Sequence, residues 1–172
     1  MPTTTKAFDA EALYRDLLGQ VKAGLSGVAD VAIVGIHSGG AWLAERLAAD
    51  LGLQARLGFI DVSFYRDDYA KKGLHPDVKP TQIGFNVDRA TIMLVDDVLF
   101  TGRTTRAAIN VLFDYGRPAR IMLAALADRG GRELPVAADF VAAHVPLEPQ
   151  QSLALQRAAD GTLSLTIEDD HA

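Results

Sequence analysis

The sequence predicts an α/β fold built on a mostly parallel sheet, and three observations carry that reading. Short continuous apolar runs recur along the chain, as strands buried on both faces require. Between them lie segments whose apolar residues repeat at helical spacing. A strand, a glycine-bearing loop, a helix and a second strand follow in that order, and such βαβ units make parallel sheets.

Asp9 is placed to cap a first helix whose Leu13, Leu17 and Val21 recur every four residues, ending near Gly24. Val31 to Ile36 (VAIVGI) is a buried strand, bounded by the loop His37-Ser38-Gly39-Gly40. Ala41 to Leu51 repeats Leu43, Leu47 and Leu51 on one face, with Gly52 as its stop. Arg56 to Phe64 reads as the second strand. The polar stretch Arg66 to Thr81 is too long for an ordinary connection in a compact domain, so a flexible lid is expected there. Thr91 to Val95 is the third strand, and a helix with Ala108, Val111, Leu112 and Tyr115 on one stripe follows, ended by Gly116 and Pro118. Arg120 to Ala127 is a fourth strand, Asp128 to Leu134 a polar turn, and Phe140 to Val145 a fifth strand. Leu153 to Gln156 and Leu163 to Ile167, around Asp160-Gly161, predict a hairpin within 150–168.

No internal repeat, heptad or clear linker interrupts the chain, so one domain over its 172 residues is expected. Cysteine is absent, which excludes disulfide frameworks, thiolate zinc sites and cysteine nucleophiles. The histidines at 37, 75, 144 and 171 show no ligand spacing that would hold zinc. No run of apolar residues approaches a membrane span, and Met1 to Asp9 lacks the apolar stretch of a signal peptide, so a cytoplasmic protein is expected. The net charge of −5 argues against a domain built mainly to hold nucleic acid.

The chemistry concentrates after the third strand. Asp96 and Asp97 stand where a buried strand gives way to a loop, and open parallel sheets bind ligands beyond the carboxyl ends of their strands. Adjacent acids repel each other and so favour a cation or a polyol. Thr101-Gly102-Arg103-Thr104-Thr105 then opens a helix, whose N–H groups, hydroxyls and dipole suit a phosphate. The combination points to vicinal hydroxyls beside a phosphate, as in a ribose 5-phosphate. For Thr104 alone a helix cap is the simpler explanation; the array as a whole carries the functional one.

Ile92 to Thr104 (IMLVDDVLFTGRT) resembles the signature of type I phosphoribosyltransferases, which bind phosphoribosyl pyrophosphate. Tyr65-Arg66-Asp67-Asp68, the run from Val95 to Pro118, and Asp128 to Pro135 (DRGGRELP) narrow the resemblance to the bifunctional pyrimidine operon regulator/uracil phosphoribosyltransferase (PyrR) family. The resemblance implies a three-layer type I phosphoribosyltransferase fold with a mostly parallel central sheet, a flexible loop and a small C-terminal hairpin. It implies an enzyme making UMP and diphosphate from uracil and phosphoribosyl pyrophosphate with Mg²⁺, and a pyrimidine-responsive regulator of pyr operon transcription. Asp96 and Asp97 would hold the ribose hydroxyls, directly or through Mg²⁺, and with Arg66 and Asp128 would be the catalytic groups. Val98, Leu99 and Phe100 would line the site, and Thr101, Gly102, Arg103, Thr104 and Thr105 would cradle the 5′-phosphate. His37, Ser38, Gly39 and Gly40 would contact the pyrophosphate, and Ala127, Asp128 and Arg129 the base, largely through main-chain groups. A homodimer or larger homo-oligomer is the implied assembly.

Phe100 stands where purine-specific members of the superfamily usually hold an acid, and a phenyl ring cannot exchange a proton with the base. Three departures separate this chain from the family pattern. Ser38-Gly39-Gly40 replaces Thr-Arg-Gly, removing a charge-assisted contact to pyrophosphate that His37 could replace. Gly131 replaces a histidine, and Pro146-Leu147-Glu148 replaces proline-threonine-serine. Restoring arginine at 39 sets the regained contact against backbone strain at a glycine. Arg103, Arg106, Arg117, Arg120, Arg129 and Arg132 could form a basic face for messenger RNA. Two other readings therefore stand beside the enzyme: a uridine-nucleotide-sensing RNA-binding attenuation regulator with little catalysis, and a phosphoribosyltransferase for another base.

Overall fold

The computed structural model describes residues 6–62 and 81–170. A short strand β1 (Ala7–Phe8) leads into α1 (Ala10–Gly24), and β2 (Val31–Ile36) into α2 (Gly39–Leu51). A 3₁₀ turn at Gln54–Arg56 precedes β3 (Leu57–Ile60). Then come β4 (Thr91–Leu99), α3 (Arg103–Tyr115), β5 (Arg120–Asp128) and β6 (Phe140–His144), and the chain closes with β7 (Gln151–Arg157) and β8 (Leu163–Asp169).

Five strands form one sheet in the order β3-β2-β4-β5-β6, every pairing parallel. β2 is buried at all six positions because helices cover both of its faces. On one face Ile33, Met93, Val95, Ala124 and Leu126 pack against α1 (Tyr14, Leu17, Val21) and α2 (Leu43, Leu47). On the other, Val34, Ile36, Ile92, Leu94 and Ala125 meet Ala107, Ala108 and Leu112 of α3. Alternate strand residues thus serve opposite layers, and three layers result. The expected hairpin is present: β7 and β8 pair antiparallel from Gln151↔Asp169 to Arg157↔Leu163, and β1 adds to β8. Leu155, Leu163 and Leu165 tie this small sheet to the α1/α2 side of the core.

Local rules explain the helix ends. The Asp9 side chain accepts a hydrogen bond from the Ala12 N–H at 3.0 Å, capping α1. Gly52 ends α2 in the left-handed conformation, φ 70°, where a side chain is disfavoured. Among the described residues no helix is long and apolar enough to cross a membrane.

Three expectations change, and a fourth falls outside the described residues. The second strand, expected over Arg56–Phe64, is the shorter β3; Arg56 instead donates from its side chain to the Val31 carbonyl at 3.0 Å. The third strand does not end at Val95 but runs to Leu99, because Asp96, Val98 and Leu99 keep Ala125, Ala127 and Asp128 of β5 as partners. Ladder bonds hold a backbone extended whatever its side chains are. Tyr115 lies 48% exposed at the end of α3 rather than in the core stripe. The expected lid, Arg66 included, lies outside the described residues except for Thr81.

Candidate functional site at the switch point of the sheet

The chain leaves β2 through α2 toward β3 on one side, and leaves β4 through α3 toward β5 on the other. β2 and β4 are neighbours, so their outgoing segments part above them and leave a crevice, the topological switch point at which such sheets bind ligands. The loop after β2 and the carboxyl end of β4 share it. A Cβ on Gly40 would lie 2.4 Å from the Val95 carbonyl oxygen and 2.9 Å from the Asp96 Cα, so only glycine lets the first turn of α2 rest on the β4 backbone. A Cβ on Gly39 would lie 2.3 Å from Asp97 Oδ2. The loop His37–Gly40 and the paired carboxylates are therefore one contiguous site.

Gly39 does not have a positive φ, so the obstacle to a side chain there is the Asp97 carboxylate rather than the backbone strain the sequence suggested. The His37–Ser38 peptide is cis. The His37 ring packs on Phe59 of β3, centroids 5.4 Å apart, which directs it toward the sheet edge. Asp96 is 5% exposed, and its Oδ1 accepts the Asp97 N–H at 2.8 Å; Asp97 Oδ1 accepts the Val98 N–H at 2.8 Å.

Gly102, at φ 93°, turns the chain into α3. The N-cap is Gly102, with no side chain to cap the helix; the Thr101 hydroxyl accepts the Arg103 N–H at 3.2 Å, and Thr104 lies inside the helix rather than capping it. Thr105 is buried in the first turn of α3, and its hydroxyl has no hydrogen-bond partner. A buried, unpartnered donor at a helix N-terminus suits an anion.

The turn after β5 is fastened onto this loop. The Thr101 carbonyl accepts the N–H groups of Glu133 at 2.9 Å and Leu134 at 3.1 Å. Arg103 pairs with Glu133 at 2.8 Å, and Arg132 donates to the Phe100 carbonyl at 2.5 Å, to the Val136 carbonyl at 2.8 Å and to the Asp128 carboxylate. The other Asp128 oxygen accepts the Gly130 N–H at 2.9 Å. Burial by itself raises the Asp128 pKa, but the bonds from Arg132 and Gly130 and the Arg132 charge outweigh it and hold the carboxyl below its ordinary range. The Arg129 guanidinium covers the Phe100 ring, 3.9 Å from its centroid, and a Cβ on Gly131 would meet that ring at 2.6 Å. Glycine at 131 in place of the family histidine thus makes room for Phe100.

Not every expected site residue faces the crevice with a free group. Leu99 and Ala127 are core residues, 2% and 0% exposed. Main-chain groups expected to read the base are partly used in holding strands together: Arg129 N–H binds the Leu99 carbonyl, and the Asp128 carbonyl takes the Val145 N–H. The six arginines do not share a face. Arg120 starts β5 opposite Thr91, at the amino edge of the sheet, whereas Arg103, Arg129 and Arg132 lie at the carboxyl edge and are engaged within the chain. Sequence reasoning missed Glu133 and Arg132 as fasteners, since Arg103 and Phe100, which they hold, lie about thirty residues away in the chain. A cavity of about 540 Å³ lined by Lys22, Asp30, Asp50 and Arg56 opens at the amino edge, away from Asp96 and Asp97.

The phosphoribosyl transferase domain model matches residues 6–152. The chain is 51% identical over 160 residues to a bifunctional protein PyrR of Ralstonia nicotianae, covering 92% of this chain and 91% of that one. The chain belongs to the PyrR family. A second PyrR, from Nitrosococcus oceani, is 52% identical over 126 residues, covering 72% of this chain and 71% of that one. Solved structures show how far the fold extends beyond PyrR. A hypoxanthine phosphoribosyltransferase of Staphylococcus aureus aligns with a TM-score of 0.63 at 21% identity, over 85% of this chain and 80% of that one. One from Trypanosoma cruzi aligns with a TM-score of 0.62 at 22% identity, over 83% and 82%. The PyrR chain therefore has the type I phosphoribosyltransferase fold with its parallel five-stranded sheet.

Proposed function

We propose that this PyrR chain transfers the phosphoribosyl group of phosphoribosyl pyrophosphate to uracil, giving UMP and diphosphate. The observation that carries the reading is the meeting of the loop His37–Gly40 with Asp96 and Asp97 at the switch point, beside the phosphate-suited start of α3. In the reaction the bond from ribose C1 to the diphosphate oxygen breaks, a bond from C1 to the base nitrogen forms, and that nitrogen loses its proton. Asp96 and Asp97 hold the ribose 2′- and 3′-hydroxyls, Thr101 to Thr105 hold the 5′-phosphate, and the loop 37–40 faces the diphosphate. Arg66, outside the described residues, keeps in this reading the catalytic role the family resemblance implies, and the segment Asp128–Arg129 bounds the base.

One oxygen of each carboxylate is spent on a backbone N–H, and among the described residues no cluster of three acidic or histidine side chains could cage a metal. Such a donor set suits Mg²⁺ that takes its remaining ligands from substrate oxygens and water. When bound there, Mg²⁺ neutralises charge on the departing diphosphate.

Phe100, its ring covered by the Arg129 guanidinium, offers the base no acid, which favours a pyrimidine. The second function of the family, regulation of the pyr operon through RNA, has the exposed Arg117 and Arg120 at the amino edge to draw on, and the working assembly is a homodimer or larger homo-oligomer. A panel of uracil, hypoxanthine and xanthine with phosphoribosyl pyrophosphate and Mg²⁺ tests the enzyme reading. Uracil alone should be consumed; turnover of a purine without uracil turnover contradicts it.

A further inference from the structure

We propose that Gly39 is a positioning residue for ribose recognition: its missing side chain seats the Asp97 carboxylate, so the loop expected to meet diphosphate also governs the sugar. The inference rests on the phosphoribosyl reading above. A Cβ at residue 39 would lie 2.3 Å from Asp97 Oδ2, 2.7 Å from its Cγ and 2.9 Å from its Cβ. Turning the carboxyl group relieves the first contact but not the last, because the Cβ does not move when the side chain rotates.

Neither partner can retreat freely. The Asp97 N–H is bound to Asp96 Oδ1 at 2.8 Å, and Asp97 Oδ1 holds the Val98 N–H at 2.8 Å. On the other side, Gly40 already brings α2 against the Val95 carbonyl and the Asp96 Cα. A methyl at residue 39 therefore pushes the carboxylate out of its seat. The backbone of Gly39 lies outside the left-handed region and in the first turn of α2, so alanine costs no backbone strain there and is a better helix former. Its effect reports the Asp97 contact.

UMP separates this role from a diphosphate role, since it carries the ribose and no diphosphate. The test is a double-mutant cycle of wild type, Gly39→Ala, Asp97→Ala and the double variant, titrated with UMP and separately with phosphoribosyl pyrophosphate, each checked by thermal melting. Gly39→Ala should weaken both ligands by about ten-fold, the size of one charge-assisted hydrogen bond, in a variant that still melts cooperatively, with whatever the displaced contact costs in melting temperature. In the Asp97→Ala background the same change should alter affinity by less than about two-fold, because the displaced group is gone. Gly39→Ala with wild-type UMP affinity, or an equal loss with and without Asp97, overturns the proposal. Wild type that binds phosphoribosyl pyrophosphate but not UMP contradicts the uracil reading, and the cycle on phosphoribosyl pyrophosphate still decides the role of Gly39.

Discussion

A buried hydroxyl without a partner costs about 1–3 kcal/mol, and Thr105 carries one in the first turn of α3. On the proposed function the 5′-phosphate at the helix N-terminus would supply the missing acceptor. Thr105→Val, close in shape, should leave the melting temperature equal or higher, since an unsatisfied group has been removed. The same variant should bind UMP about ten-fold more weakly and uridine as before, because only UMP has the phosphate. Calorimetric titration of both ligands checks this; equal losses for the two contradict it. Thr105 was legible as part of the run Thr101–Thr105, but its missing partner was not, since satisfaction of a side chain depends on what the fold packs around it. Gly39 shows the same limit. The sequence displays it as a departure and suggests backbone strain, whereas the obstacle is an aspartate brought beside it from another strand.

Between elements, the turn after β5 acts as a fastener across the carboxyl ends of β4 and β5. Arg132 joins the Phe100 carbonyl, the Val136 carbonyl and the Asp128 carboxylate with one planar group, which lysine could not reproduce. Arg132→Ala should cost about 1–3 kcal/mol, because it leaves Asp128, a side chain 14% exposed, charged and without its cation. The acid dependence also weakens. In the wild type the Asp128 pKa is depressed, so its contribution is complete above the ordinary 3.8 and is lost as pH falls below that value. Without Arg132 its hydrogen bond and charge are gone and only the Gly130 N–H and the His144 charge oppose burial, so the carboxylate contributes less at neutral pH and less is lost in acid. Urea midpoints from neutral pH down to acid should therefore converge between variant and wild type; a constant gap contradicts the fastener. The strand pattern VAIVGI and the Asp9 cap were readable because they depend on local periodicity and one hydrogen bond. The length of β4 was not, since Asp96 and Asp97 look like a loop until β5 pairs beside them.

For the molecule as a whole, the decisive fact is where the strand order reverses. The βαβ sequence pattern made the parallel sheet legible, and the Asp96-Asp97 and Thr101–Thr105 runs made half of the site legible. That the loop His37–Gly40 lands beside those aspartates follows only from β2 and β4 being neighbours, which is a property of topology. The central claim is that this junction binds a phosphoribosyl group through its two carboxylates. Calorimetric titration of phosphoribosyl pyrophosphate with Mg²⁺ into wild type, Asp96→Asn and Asp97→Asn measures it directly. Asparagine keeps the shape and removes the charge, so each variant should melt like the wild type and bind at least about ten-fold more weakly. Wild-type affinity in both variants would contradict the assignment of the site.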